Sequence, residues 1–458
     1  MKAATKTLIT TTLIITTMLL TLTPASTAFR NPIASSVLLA EMDTGMVLYD
    51  HNKDTRQPVD ALSRIMTLLL TVTACENGTL NPNETIEVTE SAFSGIDTYL
   101  SQNRIFPGEE LKLLDIMYYA YIGESTEACN MLAIKVSGST AEFVTMMNTR
   151  SRDLGCENTN FANAHGQYSI RQYSTASDLF LIMREALNHS LFVEISGSFR
   201  HEIEETNLSE PRILINPNAM LNPSSKYYYS PCSSGMVSST YEGGYSFVSF
   251  AESEGLSLIS VVLGSDAIVY EDESVDLRNI TETKRLYEWG FSQFSLRTVL
   301  STTDIVDKAP VTHGAGADFV NLRPESAVTL LLNNNISDDS FDRIVTIYSV
   351  ENNSILYAPI SAGEVLGEVT LMRNGVDYGT VLLVANTNVE LHRMQFMRMQ
   401  ISNMLSTRLA RFIIWLLTMI VLCYLALVIR YNVLRRKRLR RIAEAKERLR
   451  RERQGMDE

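Results

Sequence analysis

The sequence predicts an α/β sandwich, then a small all-β domain, then a C-terminal transmembrane helix. Three observations carry that expectation. Over roughly the first 290 residues, apolar runs of strand length stand at both ends and helical periodicity fills the middle. Beyond Phe291 the helical periodicity stops, and short β-rich runs alternate with turn residues. Phe412–Ile429 then offers 18 consecutive residues without a charge, at the short end of the roughly 17–25 that span a bilayer.

Taken in order, Lys2 and Lys6 precede an apolar, Thr-rich run from Leu8 to Leu22 that Pro24 breaks, and Ser26-Thr27-Ala28 supplies small residues. This is the layout of a secretory signal peptide over residues 1–28, with an N-terminal membrane anchor as the plainer alternative. Val37–Ala40 and Met46–Tyr49 flank Asp43-Thr44-Gly45 and predict a hairpin. Ala61–Ala74 predicts a buried helix with Asp60 as its N-cap and Gly78 near its end. Leu113–Tyr121, Thr126–Val136, Thr140–Leu154 and Thr175–Leu187 predict further helices, the last capped by Ser174. Tyr245–Ala251 and Leu256–Leu263 predict a second hairpin, so the first and last strands of the region can pair. Val328–Leu332, Arg343–Tyr348, Glu368–Met372 and Thr380–Val384 are the strands expected of the all-β domain, and Val389–Leu409 is a Met-rich helix leading to the span. The expected organisation is 29–290, 291–390, a juxtamembrane helix 391–411, the span 412–429 and a tail 430–458.

Composition bounds the function. The 458 residues are 45% hydrophobic and 20% charged, which excludes wholesale disorder. The net charge of −12 is uneven: residues 430–458 hold 12 Lys/Arg against 5 Asp/Glu, a net of +7, and the rest holds 28 against 47, a net of −19. An acidic body argues against nucleic acid and polyanionic wall polymers as its direct ligands. Basic residues directly after the span place the tail in the cytoplasm and the body outside the cytoplasmic membrane. The tail reads as helical, with Glu444–Arg448 and Glu447–Arg451 at i,i+4, suited to an anionic lipid surface or to docking a cytoplasmic partner. Cys75, Cys129, Cys156 and Cys232 lie in the body and Cys423 in the span. Three disulfide pairings are open to the four, as are buried thiols. No C-x-x-C occurs, so neither a zinc site nor a cofactor is expected.

Several segments together resemble the penicillin-binding D-alanyl-D-alanine carboxypeptidases, the low-molecular-weight penicillin-binding proteins. The run VLLAEMDTGMVLYDHNKDTRQPVDALSRIMT resembles the family's opening. Phe143–Asn148 through Leu154-Gly155 fits its "F-V-x-x-M-N…L-G" helix. Thr159, Phe161, Asn163 and His165-Gly166 fit "T-x-F-x-N-x-H-G", and Tyr173–Ala176 with Asp178-Leu179 fits "Y-S-T-A-x-D-L". Ala358-Pro359-Ile360, Gly363 and Val365–Gly367 resemble its "A-P-I-x-x-G-x-V-x-G" step. The resemblance spans about residues 35–395 and implies a serine β-lactamase/transpeptidase-like α/β sandwich and the trimming of peptidoglycan stem peptides.

The family's chemistry rests on three motifs. In S-x-x-K a serine attacks the carbonyl and a lysine one helical turn on manages its proton. In S-x-N a serine relays protons and an asparagine holds the substrate amide. In K-T-G, on an edge strand, a lysine and a threonine hold the substrate's terminal carboxylate. Here the first slot reads Ala61-Leu62-Ser63-Arg64, with no nucleophile and a guanidinium that cannot act as a base. The second reads Glu124-Ser125-Thr126. The third reads Met236-Val237-Ser238, or Val237-Ser238-Ser239, without a lysine in either register. Ser63 points about 200° around the helix from Ala61. Ser125, drawn in by a local slip, and His165 as a base are the other residual cleft residues, although a turn histidine is ordinarily structural. His201-Glu202 opens like a zincin motif but has no second histidine at the required spacing, and reads as a surface helix end. Arg64 and Glu124 occupy facing slots and are expected within salt-bridge reach, as a plug across the old cleft.

These residues imply a membrane-anchored, non-catalytic relative of the carboxypeptidases that acts by binding in cell-wall metabolism. Stem peptides, other wall proteins and the cytoplasmic membrane are its expected partners. Two alternatives stay open: a working serine carboxypeptidase with rerouted chemistry, and a transmembrane sensor signalling through its basic tail.

Overall fold

The computed structural model describes residues 29, 32–97, 99, 101, 103–269 and 275–454. The expected signal peptide over 1–28 lies outside the described residues. The chain divides into two compact units, one of Met1–Arg297 with Leu331–Ser337 and one of Thr298–Leu330 with Asp338–Glu458.

In the first unit the opening hairpin forms as expected from β1 (Ser36–Glu41) and β2 (Val47–His51), paired antiparallel. The helices are α1 (Arg64–Glu76), α2 (Leu113–Tyr121), α3 (Thr126–Ser137), α4 (Thr140–Asp153), α5 (Ala176–Ala186) and α6 (Ser190–Gly197). Three strands follow, β3 (Cys232–Thr240), β4 (Gly244–Ser253) and β5 (Leu256–Ser265), and α7 (Arg278–Gln293) closes the unit. The five strands form one sheet in the order β2-β1-β5-β4-β3. The first strand therefore pairs with the last, Leu38 opposite Val261.

Every residue of β1 is buried because both sheet faces are covered. Leu38 and Ala40 join Ile65, Leu69, Met117 and Leu132 on the side of α1, α2 and α3. Val37 and Leu39 join Ile280, Leu286 and Tyr287 of α7 on the other. Helix α7, absent from the sequence-based expectations, supplies that second layer. It packs so closely that a Cβ on its Gly290 would stand 2.8 Å from Leu39 and 2.9 Å from Leu258.

Three local expectations are corrected. Residues Asp60–Ser63 form a 3₁₀ turn before α1, and Asp60 gives no side-chain cap; its backbone is left-handed at φ 38°, and its carboxylate is bonded elsewhere. Helix α5 is capped by Thr175 rather than Ser174, the Thr175 hydroxyl accepting from the Asp178 N–H at 3.1 Å. His201 lies in the strand Arg200–Ile203 rather than at a helix end, held 2.8 Å from Asp115 and stacked on Tyr118. All five cysteines are free thiols.

The second unit is built on a five-stranded antiparallel sheet of β6 (Asp307–Pro310), β7 (Phe319–Pro324), β8 (Asp342–Ile347), β9 (Val365–Arg373) and β10 (Val376–Ala385), in the order β6-β7-β10-β9-β8. The strand expected at 328–332 is Val328–Asn333. Helix α8 (Arg393–Ser406) ends where Thr407 turns extended, and α9 (Arg408–Gln454) runs unbroken for 47 residues, or about 70 Å. Among the described residues α9 alone is long and apolar enough to cross a membrane, and it is the candidate anchor. The basic tail continues the same helix.

Candidate functional site

The first unit holds a cleft of about 700 Å³ between the 3₁₀ turn and α1, the start of α3, the Gly166 loop and the edge strand β3. All three motif slots meet there, because β3 is the edge strand and α1 starts beside it. Ala61, Arg64, Glu124, Thr126, Val237 and Ser238 line the cavity.

At the first slot Ala61 lines the cavity, and Arg64, three residues on, lines it too. Arg64 is 6% exposed. Its Nε donates to the His165 carbonyl at 2.9 Å and its Nη2 to the Glu124 carbonyl at 3.4 Å. The expected ion pair exists at its longest reach, with Arg64 Nη1 3.9 Å from Glu124 Oε1. That separation exceeds hydrogen-bond length, and Nη1 has no hydrogen-bond partner. Two backbone carbonyls therefore hold this guanidinium more closely than the carboxylate does. Glu124 itself is left-handed at φ 53°.

Ser63 is fully buried, its hydroxyl is unpartnered, and it does not line the cavity. Ser125 is committed to the fold as the N-cap of α3. Its Oγ accepts from the Ala128 N–H at 3.3 Å and donates to Glu127 Oε2 at 3.1 Å. The Thr126 hydroxyl donates to the same oxygen at 3.2 Å, and that of Ser101 at 2.5 Å. Arg104 stands 3.6 Å from Glu127 Oε1. At the third slot Met236 joins the core and pairs with Val248, while Val237, Ser238, Ser239 and Thr240 contribute to the cavity lining, Val237 also packing against the core on the α7 side.

His165 is 7% exposed, and its Nδ1 lies 3.2 Å from the Gln167 N–H that donates to it. Burial, and secondarily the Arg64 charge, lowers its pKa from 6.5 to about 4. The ring is therefore neutral at neutral pH and sits in a turn whose carbonyl anchors Arg64. Its neighbour Gly166, at φ 78°, presses on the helix start: a Cβ there would lie 2.6 Å from the Ala61 Cα.

The sequence reading missed two features. Asp60, 1% exposed, accepts a short hydrogen bond from the Thr240 hydroxyl, tying the 3₁₀ turn to the edge strand. Burial chiefly, with the Glu242 charge adding, raises its carboxyl pKa against the opposing Thr240 bond. The second feature is the set of tyrosines in the walls: Tyr99, Tyr168, Tyr241 and Tyr245. They come from separate loops and strands at no fixed spacing, so no local pattern announces them. Asn279 of α7 also lines the cavity; it is 2% exposed, with its Nδ2 donating to the Ser246 carbonyl at 3.1 Å and its Oδ1 unpartnered.

Comparison with known proteins agrees with this geometry. The model of the family described as D-alanyl-D-alanine carboxypeptidase matches residues 24–267, and that of the penicillin-binding protein 5 C-terminal domain matches 294–391. The D-alanyl-D-alanine carboxypeptidase DacF of Bacillus subtilis is 28% identical over 345 residues, covering 75% of this chain and 82% of the relative. DacA of Escherichia coli K12 is 25% identical over 346 residues, covering 75% and 80%. In fold, the chain is similar to penicillin-binding protein 5 of Haemophilus influenzae, with a TM-score of 0.58 and 21% identity over 79% of this chain and 99% of that one. It is similar also to a Streptococcus pneumoniae protein described as a peptidoglycan synthesis regulatory factor, PBP3, with a TM-score of 0.60 and 20% identity over 79% and 100%. With its family model covering more than half its length, this chain belongs to the D-alanyl-D-alanine carboxypeptidase family of low-molecular-weight penicillin-binding proteins.

Proposed function

We propose that this protein is a non-catalytic, membrane-anchored member of the family that acts by binding, as a scaffold or regulator in peptidoglycan metabolism. One observation carries the reading: a methyl group, Ala61, lines the cleft where the family's motif sets the attacking oxygen. Around it, Arg64 cannot accept a proton, Ser63 is sealed in the core and Ser125 caps a helix. Ser238 and Ser239 line the cavity, where Arg64 is the one Lys or Arg among the described lining residues. In a triad hydrolase, loss of the nucleophile alone costs about 10⁶ in rate. The body sits outside the cytoplasmic membrane, α9 spans it once through Phe412–Ile429, and the basic tail lies in the cytoplasm. Stem peptides of peptidoglycan are the natural ligands of the remaining cleft.

The test is labelling of the purified full-length protein with a fluorescent penicillin, with a carboxypeptidase relative as the positive control. No covalent label is expected. A label that survives denaturation, located by mass spectrometry on any cleft residue, defeats the reading.

A further inference from the structure

We infer that the cleft selects a peptide ending in a free carboxylate at Arg64, and so takes the shortened peptide that a carboxypeptidase leaves behind in preference to the uncut one. This inference rests on the proposal that stem peptides enter the cleft, and it names which of them binds.

The argument begins with unpaired donors. A guanidinium carries five N–H groups. In Arg64 the Nε and Nη2 groups have carbonyl acceptors and the Cys129 thiol is a further neighbour of the guanidinium, but Nη1, in a side chain 7% exposed, has no oxygen acceptor within hydrogen-bond reach among the described residues. A buried cationic donor without an acceptor is costly, and a carboxylate is its strongest complement. Among the described residues lining the cavity, Arg64 is the one Lys or Arg. Glu124 is its competitor. It stands 3.9 Å away, keeps 29% of its side chain exposed and rests on a left-handed backbone, so it can give way to a closer anion.

Position then decides which carboxylate fits. In a peptide lying as a substrate does, the carbonyl to be attacked stands over residue 61. In the uncut peptide that carbonyl belongs to a neutral amide. Hydrolysis breaks its C–N bond, water supplies the second oxygen, and the carbon becomes a carboxylate at the same place. The cation of this cleft therefore stands beside the carboxylate of the shortened peptide. The terminal carboxylate of the uncut peptide would fall one residue farther on, toward β3, where Met236–Ser239 provide no cation; Arg278 lines the adjoining pocket on the far side of Ser239–Tyr241 and does not line the cleft itself. Tyr168 and Tyr245 add apolar wall to the cavity.

Calorimetry on the full-length protein in detergent tests this with three synthetic ligands: a stem tetrapeptide ending in one D-alanine acid, the same peptide as its C-terminal amide, and the pentapeptide ending in two D-alanines. The acid is expected to bind about tenfold tighter than either of the others. Glu124→Gln should tighten the acid and leave the amide unchanged, and Arg64→Gln should abolish the preference. Equal binding of acid and amide by the unaltered protein, or tighter binding of the pentapeptide, overturns the inference while stem peptides remain ligands. If none of the three binds, both the inference and the stem-peptide assignment fall, and the non-catalytic reading is still decided by penicillin labelling.

Discussion

The cleft surface and the loops beneath it have parted company. The segments that fit the family's motifs are those that hold the support in place. Asn148 of α4 donates to the Phe161 carbonyl at 2.8 Å and accepts from the Phe161 N–H at 2.8 Å, fixing the loop after the helix. Thr159 donates to Asp178 at 2.7 Å. Asn163 accepts from the Gly166 N–H at 2.7 Å, setting the turn that bears on Ala61. From the three slots that depart from the motifs, Ala61, Arg64, Glu124, Thr126, Val237 and Ser238 line the cavity instead. Exchanging a lining group alters chemistry while leaving the hydrogen-bonded frame intact, whereas exchanging a frame residue strands a buried donor or acceptor. A fold can therefore keep its architecture while the groups that line its cleft change.

That contrast can be broken most forcefully at Gly166. Gly166→Ala places a Cβ 2.6 Å from the Ala61 Cα in a left-handed backbone, and should cost about 3 kcal/mol or prevent folding. Thermal unfolding reads the loss; an unchanged midpoint would mean that the loop does not bear on the helix start. His165 should give an effect of similar size through pH. Its native pKa of about 4 lies below its ordinary 6.5, so between these values the unfolded chain holds a proton that the native chain refuses. Stability should rise from pH 4 to 6.5 and be lost as pH falls back through that window, by up to roughly 3 kcal/mol. Urea unfolding across that range should show the slope, and His165→Gln should flatten it.

On the cleft surface the expected effects are smaller. Ala61→Ser should shift stability by less than about 1 kcal/mol and still give no penicillin adduct, because Arg64 cannot take the proton. A labelled variant would show that the retained frame is enough to activate a serine. Glu124→Gly relieves a left-handed non-glycine backbone at the cost of a long, part-exposed ion pair. It should stabilise by about 0.5 kcal/mol, and a clear destabilisation would show that the Arg64–Glu124 pair carries weight.

Much of the fold was legible in the amino-acid order, because the signals are local. The hairpin at Asp43-Thr44-Gly45, α2 at Leu113–Tyr121 and the strands β8, β9 and β10 of the second unit follow from periodicity and turn residues, whereas β6 and β7 of the same sheet were not expected. Helix α7 was missed because the face it buries mixes Ile280, Leu286 and Tyr287 with Asn279, Glu282, Thr283 and Gly290. Of the site, the replacement of all three motifs was readable, since it needs only residue identity.

The sequence by itself determined that no hydroxyl stands at position 61, that no lysine follows it, and that the chain carries an 18-residue uncharged run ahead of a basic tail. Only the tertiary structure decided which groups are free to act. Ser125 is consumed by a helix cap, Ser63 is sealed in the core, Asp60 is bonded to a threonine 180 residues away, and Arg64 keeps Nη1 unpaired. The reason is physical. Helical period and turn chemistry act over a few neighbouring residues, whereas burial and hydrogen-bond satisfaction depend on partners that the chain brings together only when it folds.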